Sequence, residues 1–221
     1  MPTNFLEEEL ITIPRVISEP RFRRYLDAEN GDQRRALALY RWNSEISGAL
    51  MFPMHMSEIA VRNGIHGALV RKYGERWPWV DAFEKSLPNP GGRYYNPRKD
   101  LQRTRRGLST TGKLVAELKF AFWENMLTSR HDGRLWRTYL VVEFSGLPQD
   151  KNFSANRRHL HEEVEIIRNV RNRIAHHEPI FTRDLIAEYE IMIDVIKCRC
   201  PQTAQWVERT QKVVDLITER P

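Results

Sequence analysis

Side chains able to do chemistry are densest between Glu163 and Phe181, where the chain reads EVEIIRNVRNRIAHHEPIF. A helix turns about 100° per residue, so Asn172 and His176 share one face, and Arg168 sits one turn earlier on the same stripe. Arg171 flanks that stripe. An amide placed this way can hydrogen-bond an imidazole and orient it, while a neighbouring guanidinium holds phosphate through paired N–H donors. Those three groups suffice to cleave RNA. The imidazole takes the 2'-hydroxyl proton and the cation stabilises charge on the five-coordinate phosphate, with no metal required. The same residues also suit a plain helix end, because a C-terminus favours His and Arg through the helix dipole and its free carbonyls.

The surrounding pattern gives Arg171 more weight. Leu160, Val164, Ile167 and Ile174 are spaced 4, 3 and 7 apart, a heptad-like seam in which Arg171 stands at an expected apolar position. A guanidinium in such a seam is costly unless it is paired or faces an anion in a cleft or interface. Pro179 then stops the helix and exposes its histidine end, His176 with His177 beside it. A second polar stripe, Glu58, Arg62 and His66, runs along an otherwise apolar helical stretch, and Asn63 repeats the Arg-Asn pair. It reads either as a brace for a cleft or as a solvent-facing ion pair worth about a few tenths of a kcal/mol.

Charge points to a polyanionic partner only where it is clustered. The 221 residues carry a net charge of +6, and six cations (Arg93, Arg98, Lys99, Arg103, Arg105, Arg106) stand against Asp100 alone in one short stretch. With Tyr94 and Tyr95 beside them they form a candidate strip for following an RNA backbone, the plainer reading being a solvated loop and helix face.

The elements that must position these residues are helical throughout, with no convincing period of two, which predicts a single all-α domain over 1–221. Helices are expected over 33–50 and 54–72, divided at Pro53, and a proline- and glycine-rich loop over 86–97. Further helices are expected over 98–108, 113–127, 135–144, 155–176, 182–197 and 201–219, with a turn at His131-Asp132-Gly133. The 41% hydrophobic content excludes wholesale disorder, and no apolar run reaches the length of about 18 residues that a membrane span needs. The N-terminal MPTNFLEEEL carries acids where a signal peptide carries a basic head, so a cytoplasmic location is expected. The two cysteines, Cys198 and Cys200, are poorly placed to pair with each other and fit a reducing compartment.

Neither a metal nor a cofactor is expected. His131-Asp132 lacks the further ligands of an HD-type phosphohydrolase, and His159 and His161 point to different helix faces, although His161 and Glu165 have i, i+4 spacing. Most of the six tryptophans, which include Trp77, Trp79, Trp123 and Trp136, suit core and helix-junction packing better than base stacking.

Arg171-Asn172-Arg173-Ile174-Ala175-His176 matches the R-x-x-x-x-H signature of the HEPN superfamily. The blocks SEIAVRNGIHGALVRKYGERW (57–77), AELKFAFWENMLTSRHDGRLW (116–136) and VRNRIAHHEPIFTRDL (170–185) resemble its bacterial Abi-like, or abortive infection, branch. The resemblance implies a HEPN-type helical bundle with extra N- and C-terminal helices. It also implies a metal-independent endoribonuclease, acting in phage defence or as a toxin, whose cleft is composed by two subunits. Arg171 and His176 would then be the catalytic pair, with Asn172 in the polar supporting position. Glu58, Arg62 and Asn63 would support the site, while Arg168, outside the strict signature, and His177 are supporting candidates by their place at the same helix end. The implied partners are RNA, a second copy of the chain, and an antitoxin protein or RNA. A module of the same fold that binds RNA or protein without cutting is the alternative.

Overall fold

A computed structural model describes residues 5–221, and among them every regular element is helical. Helices α1 (Glu7–Ile17) and α2 (Glu19–Ala28) lead into α3 (Gln33–Tyr73), the axis of the fold. Asp32 caps the start of α3 by accepting the Arg35 N–H at 3.0 Å, and Gly74, at φ +82°, ends it with its own N–H on the Val70 carbonyl. The division expected at Pro53 does not occur. Proline removes one intrahelical hydrogen bond at about 3 kcal/mol, but Leu50, Pro53, Met54 and Ser57 are buried together, and packing along a 41-residue helix outweighs that loss.

After a short turn at Trp77–Trp79 come α4 (Asp81–Ser86), α5 (Pro97–Thr104), α6 (Thr111–Glu117) and α7 (Phe120–Met126). The single helix expected over 113–127 is thus two. Leu118 and Lys119 are extended, with ψ of 136° and 149°, and this break lets Leu118, Phe120, Phe122 and Trp123 all reach the core. On one unbroken helix Leu118 and Phe120 would point about 200° apart and could not both be buried on one side.

The His131 region is a tight 3-10 turn, Ser129–His131, followed by a wider π-helical turn, Asp132–Trp136, that feeds α8 (Arg137–Glu143). Helix α9 (Phe153–Ala175) is capped by Asn152, which accepts the Ala155 N–H at 2.9 Å. Helix α10 (Leu185–Arg199) is capped by Asp184, which accepts the Ala187 N–H at 3.1 Å. The last expected helix also divides, into α11 (Pro201–Thr210) and α12 (Val213–Thr218), because the Gln211 side chain accepts the N–H groups of Val213 and Val214 and starts a new helix there.

One core runs through the molecule, with α3 packed most extensively on α10 and also against α2, α7, α8, α9 and α12. Trp42, Trp77, Trp123 and Trp136 lie inside it, and the Trp136 indole donates to the Met126 carbonyl at 2.7 Å. Gly64 of α3 takes part through what it lacks: a Cβ there would sit 2.5 Å from the Phe144 ring, so the glycine admits the end of α8. Glu143 enters beside it and is buried between Arg71, at 2.6 Å, and Arg199, at 3.4 Å. No helix among the described residues is long and apolar enough to cross a membrane.

Candidate active site

The end of α9 is built by a backbone device. His177 adopts a left-handed conformation, φ +55°, so that its N–H reaches the Ile174 carbonyl at 2.9 Å and the Glu178 N–H reaches the Arg173 carbonyl at 2.8 Å. This is the hydrogen-bond pattern of a Schellman stop, which glycine usually serves, and a non-glycine residue costs about 1 kcal/mol there. Arg173 locks the stop by donating to the Pro179 carbonyl at 3.0 Å and pairing with Glu178 at 3.4 Å. Beyond it, the buried Asn43 side chain of α3 accepts the Ile180 and Phe181 N–H groups.

On this frame Arg171, His176 and His177 are exposed and Asn172 is half-buried. The apolar seam does not pass through Arg171. Val170 fills that level of the core with Leu160, Val164 and Ile167, because a helix of 3.6 residues per turn drifts from a strict heptad, and Arg171 is left on the flank. Nor does the Asn172 amide bond the His176 ring; the link is between backbones, His176 N–H to Asn172 carbonyl, at 3.0 Å. Arg168 is paired with Glu124 of α7 and held among half-buried atoms. Among the described residues Arg171 has no ion-pair or hydrogen-bond partner, in contrast to Arg168 and Arg173.

A cavity of about 270 Å³ lies beside the stop, lined by His177, Glu178 and Ile174 of the α9 end and by Arg21, Tyr40 and Ser47 of α2 and α3. His177, rather than His176, faces it. Arg21 with Arg24 also lines an adjoining cavity of about 330 Å³. Sequence reasoning missed Asn43, Arg21 and Arg24, because only tertiary packing brings α2 and the first half of α3 to the α9 end.

The second stripe is placed apart. Glu58 and Arg62 are half-buried without pairing to each other, Arg62 Nε is buried without a partner, and Asn63 lines a cavity with Arg199 and Cys200. Among the described residues no hydrogen bond or ion pair ties these three to Arg171, Asn172 or His176. His66 accepts the Trp77 indole N–H at 3.0 Å, and burial holds its pKa below the usual value.

The basic strip divides into two groups. Arg98 donates to the Lys85 and Leu87 carbonyls at 2.5 and 2.8 Å, and Arg105 donates to the Pro78 carbonyl and pairs with Glu84 at 2.5 Å, so both fasten α5 to α4. Arg93, Lys99, Arg103 and Arg106 remain exposed, and Arg103, Arg106 and Lys119 line a cleft of about 360 Å³. Of the two tyrosines only Tyr94 is open for stacking; Tyr95 donates to the buried Asp100 at 2.6 Å.

His131 and Asp132 are both engaged inside the fold. His131 is buried against Arg134, and Asp132 holds the buried Arg157 at 2.9 Å. Burial, then Arg134 and Arg130, push the His131 pKa down to about 3. His159 faces neither His161 nor Glu165 but Glu163, at 3.5 Å, and Asp194 of α10, at 3.1 Å. Burial and the nearby Asp194 raise the Glu163 carboxyl to about 8, and burial raises the adjacent Cys198 thiol to about 12.

No protein-family model matches this sequence, and no curated protein or solved structure matches it at a significant level.

Proposed function

We propose that the chain is a metal-independent endoribonuclease acting as a homodimer, with Arg171 and His176 as its reacting pair. One observation carries this reading. Of three arginines around the end of α9, Arg168 is paired with the half-buried Glu124 and Arg173 with Glu178 and the Pro179 carbonyl, while Arg171, the arginine of the R-x-x-x-x-H signature, is exposed and free to meet a phosphate. The exposed His176 supplies the base or acid at the same helix end. Five residues of helix turn the two side chains about 140° apart, so one copy presents them on different sides, and a second copy across a two-fold axis completes the pair.

RNA would be cut by its own 2'-hydroxyl, leaving a 2',3'-cyclic phosphate and a 5'-hydroxyl, and DNA, which lacks that hydroxyl, would survive. The Abi-like resemblance supports a role in phage defence or growth arrest, restrained by an antitoxin. Incubating the protein with total and transfer RNA in EDTA, beside His176→Ala and Arg171→Ala, tests the reading. Cyclic-phosphate ends that vanish in both variants support it. Cleavage of an RNA whose scissile 2'-hydroxyl is replaced by hydrogen overturns it.

The unmade bond between the Asn172 amide and the His176 ring favours a second reading, a module that binds RNA or protein without cutting it. Tight RNA binding by a folded dimer that leaves every RNA intact selects that alternative.

A further inference from the structure

Away from the end of α9, a different set of groups converges between two helices. His159 and Glu163 lie one turn apart on α9, and Asp194 projects toward them from α10. One ligand atom from each, the His159 Nε2 and one oxygen from each carboxylate, lies within 4.8 Å of the other two. That spacing suits three donors around a single ion, whose bonds to imidazole nitrogen and carboxylate oxygen are about 2.0 to 2.2 Å long.

Glu163 supplies an independent sign of a missing partner. The residue is 8% exposed, and its Oε2 is buried with no hydrogen-bond partner, although buried carboxylate oxygens are ordinarily satisfied. Two carboxylates brought together beside one imidazole also offer a divalent ion two oxygen donors and one nitrogen donor from two packed helices. The site is not sealed: the His159 and Asp194 side chains are 37% and 44% exposed, and Asp194 also lines a cavity of about 270 Å³ between α10 and α11. Solvent can therefore reach a fourth coordination position.

We propose that His159, Glu163 and Asp194 bind one divalent transition-metal ion of the zinc class, which pins α9 to α10. Imidazole nitrogen with two carboxylate oxygens suits Zn²⁺ and its neighbours in the first row, whereas an all-oxygen set would suit Mg²⁺ or Ca²⁺. Glu163 precedes Arg171 by eight residues, about 12 Å of helix rise, so the ion stands apart from the reacting pair proposed above and its removal leaves that pair intact.

The test uses the full chain stripped of metal with a chelator and titrated with ZnCl₂ by calorimetry, with thermal unfolding followed in parallel. Saturation at one ion per chain and a rise in Tm with added Zn²⁺ are expected. Asp194→Asn, His159→Gln and Glu163→Gln, each shown folded by circular dichroism, should weaken binding by at least about tenfold, the loss already typical of a changed outer-shell partner. His176→Ala, which alters a surface histidine outside the cluster, should bind Zn²⁺ like the parent. Tetrahedral absorption bands on Co²⁺ loading, lost in Asp194→Asn, would support the same ligand set. Absence of saturable uptake by the parent, or uptake unchanged in all three cluster variants, would overturn the proposal and leave the cluster an ion pair sharing a proton.

Discussion

The side-chain oxygen of Asn43 accepts the backbone N–H of Ile180 at 2.8 Å, which ties the first half of α3 to the segment of chain leaving α9. The same oxygen takes the Phe181 N–H at 3.1 Å, so one buried amide fixes the direction in which His176 and His177 are presented. The relationship spans 137 residues and rests on a single oxygen.

Replacing that oxygen should therefore be felt in both stability and function. Asn43→Leu leaves two buried donors unpaired, each at about 1 to 3 kcal/mol. Denaturant unfolding should show a loss in that range, and RNA cleavage should fall with the His176 end displaced. A variant as stable as the parent would show that the loop finds other acceptors.

The two arginines one turn apart on α9 should behave in opposite ways. Arg171→Ala, at an exposed position, should change stability by no more than about 0.5 kcal/mol yet reduce cleavage by about a hundredfold or more. Arg168→Ala strands the half-buried Glu124 carboxylate and should destabilise by about 1.5 to 3 kcal/mol. Unfolding curves and cleavage rates on the same preparations check both. Equal stability losses would show that Arg171 has a structural partner.

The basic strip offers a similar contrast. Neutralising Arg103 and Arg106 to Gln should lower RNA affinity and reduce the slope of log K against log salt by about 0.7 for each phosphate no longer neutralised, with the fold unchanged. Arg105→Gln removes the ion-pair partner of Glu84, leaving it only the Gln102 amide, and the donor to Pro78, so thermal unfolding should register it first. An unchanged salt slope in the double variant would mark the strip as ordinary solvated surface.

His131 gives the fold an acid-sensitive point. Its folded pKa is depressed to about 3, whereas the unfolded imidazole titrates near 6.5, so between those values the unfolded chain binds the extra proton. Stability from this group is full above pH 6.5 and is lost as pH falls toward 3, at about 1.4 kcal/mol per pH unit. His131→Asn keeps an acceptor for Arg134 but cannot titrate, and its stability should fall less steeply with acid by about one proton. Parallel pH profiles for parent and variant would show that the ring titrates alike in both states.

Helical periodicity along this chain reflects which residues face the core, and that part of the fold was legible in it. The all-α class, the extent of α9 and α10 and the buried tryptophans follow from apolar spacing alone. Pro53, Leu118 and Gln211 were not readable in this way. Whether a helix continues through a proline or breaks beside a leucine depends on how much apolar surface each option buries against other helices. Arg171, Asn172 and His176 stood out as a local motif, since they lie on one helix and its cap, but the stop itself is made by the left-handed His177 and not by Pro179. The groups that frame that helix end did not: Glu124, which holds Arg168, Asn43, which holds the Ile180 and Phe181 N–H groups, and Arg21, which lines a cavity with His177, come from distant segments. The same holds for Asp194, which follows Glu163 by 31 residues and meets it only because α10 folds back along α9. Spacing shows which groups share a face, while pairing of charges and burial of a carboxylate depend on distances that exist only after the helices pack.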